Sequence, residues 1–307
     1  MIRICATLTV YRSTLTTKTV LTRLAPTPSG YLHLGNAVNF VLTWLAARQR
    51  GGKVWLRIDD LDADRKRPDY VADVFETLDF LGLDYDLGPS GPDDFERNWS
   101  QRHRLDRYEA TLTRLVETDS VYACGLSRKQ LATFQGEAWA QVRCQNRALD
   151  APDVAWRFRA DGNGEQDFVV RRRDGLPAYQ IASLTDDADF SVTHLVRGQD
   201  LLDSTNMQRE LAGRLGLGTF LDAQVWHHPL LRGDDGHKLS KSAGSGAAGP
   251  TSIRAMRQSG EGPGRVFGAV GTLLHRPAEA GLSLANLLAM SVVSDTLFAP
   301  VHTVKLA

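Results

Sequence analysis

The 307 residues are enough for one large domain or two modest ones. Hydrophobic residues at 42% and charged residues at 23% are ordinary for a water-soluble globular protein, and no apolar run reaches membrane-spanning length. Lysine plus arginine equals aspartate plus glutamate at 36 each, which excludes a globally basic nucleic-acid binder, and three cysteines exclude a disulfide-built scaffold, so a reduced, cytoplasmic setting is expected.

Residues 1–20 carry no acid and are rich in threonine. Polar residues interrupt every apolar stretch there, so the segment reads as an N-terminal extension rather than a signal peptide. Residues 20–25 read as a short strand, which Pro26, Pro28, Ser29 and Gly30 break into a loop. Val38, Val41, Leu42 and Leu45 recur at helical spacing and predict a helix over 34–50 that ends at Gly51-Gly52. A strand over 54–58 runs into Asp59-Asp60, and a helix opening on Pro68 stops at Gly82. Leu105, Tyr108, Leu112 and Leu115 share one face of a helix over 101–118. This alternation predicts an α/β class with a parallel sheet and helices on both faces, the first half of a core over 21–120. Such folds bind ligands at the carboxyl ends of their strands, where the loop 23–33 and the turn 59–62 lie.

The rhythm breaks over 121–165, which reads as an inserted subdomain holding Cys124 and Cys144. Ordered segments resume at 168–173 and 179–184, then a strand at 192–196, a helix at 204–215 and a last strand at 225–231, giving the second half of the core over 166–243. A turn at 233–236 precedes Lys238-Leu239-Ser240-Lys241-Ser242. Glycine-rich residues follow, and helical patterns at 266–274 and 282–290 make 244–307 a short helical C-terminal region.

A helix opening just after a glycine-containing loop presents N–H groups and the positive end of its dipole. His33 and Asn36 flank such a start; His33 has a hydrogen bond to offer a phosphate, and Gly35 leaves room for a base or phosphate to approach. Lys238 and Lys241 set two point charges in a serine-containing loop, which suits a triphosphate whose charge shifts during reaction. Alone, the first string reads as a helix cap and the second as a solvated loop. Together they describe a nucleotide cleft and the activation of a carboxylate by ATP.

The strings T-R-L-A-P-T-P-S-G-Y-L-H-L-G-N, L-R-I-D-D-L-D, L-P-A-Y-Q-I-A-S, V-R-G-Q-D-L-L and K-L-S-K-S occur in this order. Over residues 21–242 they resemble the class I glutamyl-tRNA synthetase family. The resemblance implies a Rossmann-type core split by an α+β acceptor-binding-like insertion. It also implies two steps, in which the α-carboxylate of L-glutamate attacks the α-phosphate of ATP, supplied with Mg2+, and the glutamyl group then passes to RNA. His33, Gly35, Lys238 and Lys241 match the catalytic positions, and Asn36, Arg65 and Ser240 join them around ATP. Two carboxylates and an ammonium call for two arginines and an acid. Arg23 and Arg197 match the carboxylate positions, Tyr179 a residue that closes the pocket, and Ala25 and Thr27 loop positions near the amino group. Asp59 stands where the family usually has glutamate, one methylene shorter toward the ammonium. Asp62, with Arg65, matches positions near ATP and the acceptor end.

Two departures narrow the resemblance. After Ser242 there are 65 residues (307 − 242), too few for the family's helical anticodon-binding domain. The short form resembles the subfamily that places glutamate on the queuosine base at the wobble position of tRNA(Asp), so the expected partner is that anticodon stem-loop and the expected state a monomer. Cys124 and Cys144 match the outer positions of a zinc set whose inner positions are Leu126 and Ala140 here; two ligands do not close a tetrahedron, so zinc is expected to be absent and Trp139 with its apolar neighbours to hold the insertion together. His227 and His228, adjacent on a strand, point to opposite faces and do not share an ion. Arg102, Arg104, Arg107 and Arg171-Arg172-Arg173 are candidate phosphate contacts for RNA. The alternatives are a truncated synthetase charging another tRNA and a non-catalytic RNA- or amino-acid-binding paralogue. Asp59 favours the last, and retention of His33, Gly35, Lys238 and Lys241 opposes it.

Overall fold

The computed structural model describes residues 19–134, 136–143, 147–162, 164, 166–231, 252–274 and 281–290. Strand β1 (Leu21–Leu24) leads through the proline-broken loop to helix α1 (Leu34–Arg48), which returns the chain to β2 (Lys53–Leu56). The two strands pair in parallel with Arg23 opposite Trp55. Helix α2 (Pro68–Leu81) has proline in its first turn, where no N–H is needed, and ends on Gly82 in the left-handed region. Residues 101–118 divide: Ser100 caps a tight turn over Gln101–Arg104, and the α-helix proper, α3, spans Leu105–Glu117.

The rhythm then changes to an antiparallel sheet of β3 (Val121–Cys124), β4 (Ala155–Phe158) and β5 (Phe168–Arg171), in that spatial order. Because β5 bonds to β4, this sheet runs past the expected boundary at 165 and takes in a segment assigned by sequence to the second half of the core. Inside it, Asp167 accepts from Arg143 Nη2 at 2.6 Å, Tyr122 Oη at 2.9 Å and the Ala160 N–H at 2.9 Å. One buried carboxylate thereby ties the insertion's helical turn to its sheet.

Helix α4 (Tyr179–Asp189) re-enters the core, followed by β6 (His194–Gly198), α5 (Leu202–Leu215) and β7 (Gln224–His228). β6 and β7 are parallel, with Arg197 opposite His227. β7 stops short of 231 because Pro229 has no N–H to continue the ladder. The two parallel pairs meet where Thr193 N–H donates to Leu21 O at 3.0 Å and Leu21 N–H to Thr193 Oγ1 at 2.8 Å. Helices α6 (Ile253–Gln258), α7 (Gly264–Leu273) and α8 (Leu284–Ala289) lie beneath α1.

Side-chain alternation along the strands separates two cores. Val54, Leu56, Val196 and Trp226 join α1, α2 and the C-terminal helices, while Trp55, Leu195 and Val225 join α3, α4 and α5. The parallel strands are therefore sandwiched between helical layers, which leaves their carboxyl ends as the open edge.

Two glycines test this packing. Gly82 has a positive φ of 70° and a virtual Cβ at ordinary contact, 3.7 Å from Leu284 Cδ2, whereas Gly88 combines φ of 131° with a virtual Cβ only 2.5 Å from Leu56 O. Gly82→Ala is expected to cost about 1 kcal/mol and Gly88→Ala roughly 2 to 4 kcal/mol in urea unfolding. Equal losses would show that the close approach at Leu56 is not rigid.

Candidate active site

Every strand end of the parallel sheet delivers a polar side chain to the same edge. Arg23 sits one residue before the end of β1 and Arg57 one residue after β2; Arg197 and His227 face each other near the ends of β6 and β7. Asp59 is held there by its own N–H, which donates to Pro26 O at 2.8 Å and ties the two loops together.

Asp187, on α4, is where these charges meet. Its Oδ1 accepts from Arg23 Nε at 3.0 Å and Arg57 Nη1 at 2.9 Å. Its Oδ2 lies 3.7 Å from Arg197 Nη2 and has no hydrogen-bond partner among the described residues. Burial alone would raise this acid, but Arg23, Arg57 and Arg197 outweigh it and hold Asp187 below the ordinary carboxylate value. Arg57 also grips Asp59 with two bonds, Nε to Oδ1 at 2.6 Å and Nη2 to Oδ2 at 3.2 Å. Burial opposes the Arg57 charge, yet Asp59, Asp187 and Asp186 together hold its pKa above the usual guanidinium value. For Asp59 the balance reverses: burial outweighs Arg57 and pushes the carboxyl up to about 6.

Arg197 is 1% exposed. It donates to Thr205 Oγ1 and Gln208 Oε1, each at 2.7 Å. Its Nε, Gln208 Nε2 and His227 Nδ1 are buried without a partner among the described residues. Burial pulls the Arg197 pKa down, but an arginine keeps its charge, so its field is available to an incoming anion. Burial, reinforced by Arg197, pushes His227 down to about 4, so this ring is neutral. Tyr179, at the start of α4, is 40% exposed, and its electrostatic influence on Arg197 opposes the downward pull of burial.

The H-L-G-N string is the start of α1. His33 Nδ1 accepts from Gly35 N–H at 3.1 Å, and Asn36 Oδ1 accepts from His33 N–H at 3.1 Å, a reciprocal cap. With Nδ1 accepting, the proton of the neutral ring sits on Nε2. A Cβ on Gly35 would lie 3.1 Å from His33 Cε1, so a side chain at this position would press on the capping ring. Asn39, one turn on, donates to Val196 O at 3.3 Å and lies 3.1 Å from His228 Nε2, linking α1 to the ends of β6 and β7.

Ala25 is half-buried and Thr27 exposed in the loop after β1. Arg65 is exposed on the single turn Ala63–Arg65, apart from the arginine cluster, and Asp62 lies 3.8 Å from Arg172. Lys238, Ser240, Lys241 and Cys144 lie outside the described residues. His227 faces Thr205 at 3.0 Å while His228 faces Asn39, so the adjacent histidines turn to opposite sides. Most of the arginines expected to contact phosphate also have partners within the protein, and Arg102 is exposed. Arg104 is bonded to Asp186 and Asp189 at 2.7 Å, and Arg107 to Asp189 at 2.8 Å. Arg171, Arg172 and Arg173 likewise donate to Gly175 O, pair with Asp174 and donate to Gly125 O. The sequence reading did not assign Arg57, Asp187, Thr205 or Gln208. The signal for Asp187 was the Asp186-Asp187 pair inside an otherwise helical apolar pattern.

Residues 19–153 and 152–248 match the family described as tRNA synthetases class I (E and Q), catalytic domain. The chain belongs to this family. A curated relative from Pseudomonas fluorescens, named glutamyl-Q tRNA(Asp) synthetase, is 38% identical over 269 residues, covering 81% of this chain and 86% of its own length. One of the same name from Nitratidesulfovibrio vulgaris is 36% identical over 292 residues, covering 82% and 85%. Among solved structures, a glutamate–tRNA synthetase from Elizabethkingia anophelis superposes with a TM-score of 0.70 at 23% identity, over 88% of this chain and 65% of that one. The chain thus spans just under two thirds of that protein, and the likeness is one of fold. With the named relatives, the family makes the chain a ligase with a class I synthetase core.

In this class I core the Asp59 carboxyl should titrate with a midpoint of about 6, followed by carboxyl carbon NMR. The folded state binds this proton before the unfolded one does. Between about 6 and the ordinary 3.8, falling pH therefore favours folding through this group. Wild type should gain stability relative to Asp59→Asn as pH is lowered from about 7 to 5. A flat difference would mean that Arg57 fully compensates the burial of Asp59.

Proposed function

We propose that this ligase activates L-glutamate with ATP and transfers it to the queuosine base at the wobble position of tRNA(Asp). The observation that carries the glutamate reading is the buried arginine cluster with unmet donors at the strand ends. Arg197 Nε and Gln208 Nε2 have no partner among the described residues, and Arg23 spends only Nε on Asp187. Two fixed guanidinium groups with donors to spare suit a dicarboxylic amino acid better than any apolar one. The acceptor reading is supported by the names of relatives that match four fifths of the chain.

In the first step an α-carboxylate oxygen bonds to the α-phosphorus of ATP, the bond to the β-phosphate oxygen breaks, and pyrophosphate leaves. In the second a nucleophilic group of the acceptor base bonds to the acyl carbon and gives up its proton, the bond from that carbon to the phosphate oxygen breaks, and AMP leaves. Neither step needs an activated protein nucleophile; alignment and charge are what the residues supply. Arg23 and Arg197 hold the carboxylates, with Tyr179 closing over them. Ala25, Thr27 and Asp59 take the ammonium, whose charge favours the ionised form of Asp59. His33 offers its Nε2 proton to a phosphate oxygen, while the Gly35 N–H holds its ring and Asn36 its backbone N–H. Lys238, Ser240, Lys241 and Arg65 take the remaining phosphate charge. Mg2+ arrives on the phosphates of ATP; no cluster of three acids, histidines or cysteines among the described residues offers it a protein cage.

Zinc has no place in this reading. Among the described residues Cys124 packs against the apolar Tyr122, Val142, Leu126, Leu131, Phe134 and Trp139, and two cysteines alone do not close a tetrahedral set. Metal analysis of the purified protein should find zinc far below one ion per chain, and one ion per chain would overturn that statement.

Exchange of pyrophosphate into ATP, dependent on glutamate and independent of tRNA, is the test of activation. No exchange with glutamate or any other amino acid would sink the enzymatic reading. Lys241→Ala should lower exchange by about a hundredfold or more while the protein stays folded. Labelled glutamate should then mark queuosine-containing tRNA(Asp) and not its queuosine-free form. Equal labelling of the two, or labelling of tRNA(Glu), would reject the acceptor.

A further inference from the structure

Leu32, the residue before the capping His33, is held on both sides of its backbone. Its N–H donates to Asp73 Oδ2 at 2.8 Å, and its carbonyl accepts from Ile253 N–H at 2.9 Å. His33 and Ser252 form an antiparallel bridge beside it. The other oxygen of Asp73 accepts from Arg257 Nη2 at 2.5 Å, and Arg257 Nη1 lies 2.8 Å from Glu76. Asp73 is 1% exposed, so this carboxylate spends both oxygens inside the protein, one on α2's neighbour loop and one on α6.

The position of these bonds in the chain gives them meaning. Residue 252 directly follows the stretch 232–251 that carries Lys238 and Lys241, and Leu32 directly precedes His33. Helix α6 is seated by Ile253 and Met256 in the same core as Leu32, Val71 and Val74. Apolar packing permits small slides, whereas charge-assisted hydrogen bonds fix a register to a few tenths of an ångström. Asp73 therefore adds a charged side-chain tie to the backbone contacts that set how the start of α6 stands against the histidine loop.

We infer that Asp73 and Arg257 are positioning residues for adenylate formation, fixing the loop of Leu32 and His33 against α6 without touching substrate. This rests on the activation reading above. It goes beyond that reading in assigning a rate-setting role to a pair remote from the arginine cluster. The asymmetry between the two halves of the site makes it testable: glutamate is held by Arg23 and Arg197, which share no contact with Asp73.

Asp73→Asn, Arg257→Met, Arg257→Lys and the double variant Asp73→Asn/Arg257→Met are compared with wild type, in the full chain. Each of Asp73→Asn and Arg257→Met should lower kcat of glutamate-dependent exchange about tenfold with the KM for glutamate changed less than about twofold. The double variant should be no slower than the slower single one, because both remove the same tie. Arg257→Lys, which keeps a charge for Asp73, should recover part of the rate. Hydrogen exchange on the ligand-free variants reads the tie without activity: amides of 32–35 and 252–256 should lose protection together. A kcat unchanged while the melting temperature falls, additive losses in the double variant, a glutamate KM that moves with kcat, or loss of protection in one segment alone would each overturn the inference. Absence of exchange in the wild type would overturn the activation reading instead, and the paired amides would still decide whether the tie exists.

Discussion

The Asp187 carboxylate, closed off from solvent and shared by Arg23 and Arg57 with Arg197 close by, is the interaction on which the rest of the site depends. Removing an ion from water costs several kcal/mol, and attraction repays that only where geometry is good and the remaining donors are met. Arg57 meets the condition fully, through Asp187, Asp59 and Ser183. Arg197 does not, since its Nε is buried without a partner. Loss of Asp187 would leave guanidinium groups from β1, β2 and β6 facing one another, an arrangement that costs on the order of 3 to 5 kcal/mol per broken buried pair. The same imbalance that burdens the fold makes it receptive to an anion.

Neighbouring acids have been given different work by their surroundings. Asp186, beside Asp187 in sequence, turns to Arg104, Gln101 and Tyr108 and serves to hold α3 and its leading turn against α4. Asp60, beside Asp59, accepts from Ser100, Gln101 and Lys66. In each pair one carboxylate braces the scaffold and the other faces the arginine cluster. Asp73 and Asp167 repeat the bracing pattern at the histidine loop and in the inserted sheet. Buried acids with two or more donors are thus the recurrent joints of this fold, joining elements that apolar packing alone would let slide.

Local patterns were legible where the physics is local. Pro68 and Gly82 bound α2 as their backbone chemistry requires, and the apolar spacing of α1 and α3 marked their buried faces. The end of α1 and the start of α3 were read two to four residues out, because helix ends are decided by caps rather than by periodicity. β5 pairs with β4 across the boundary expected at 165, and a short apolar strand carries no mark of its partner. Arg104 and Arg107 looked like surface charges for RNA, and their pairing with Asp186 and Asp189 across about 80 residues could not be read from either segment. The close fit of Gly35 against the His33 ring is visible only in the folded cap.

By itself the sequence determined the α/β class, the family, and the residue types that gather at the strand ends: Arg23, His33, Asp59, Tyr179 and Arg197 all lie in strings whose order carries the resemblance. Tertiary structure alone decided which charges satisfy one another. Arg23 and Asp187 lie 164 residues apart, and Arg57 and Asp187 130. A carboxylate's partner depends on which strand and which helix face meet in space, and pairings between distant segments leave no local signature in either one. The parallel register that sets Arg197 beside His227, and the shared acid that joins Leu32 to Arg257, belong to that second kind of information.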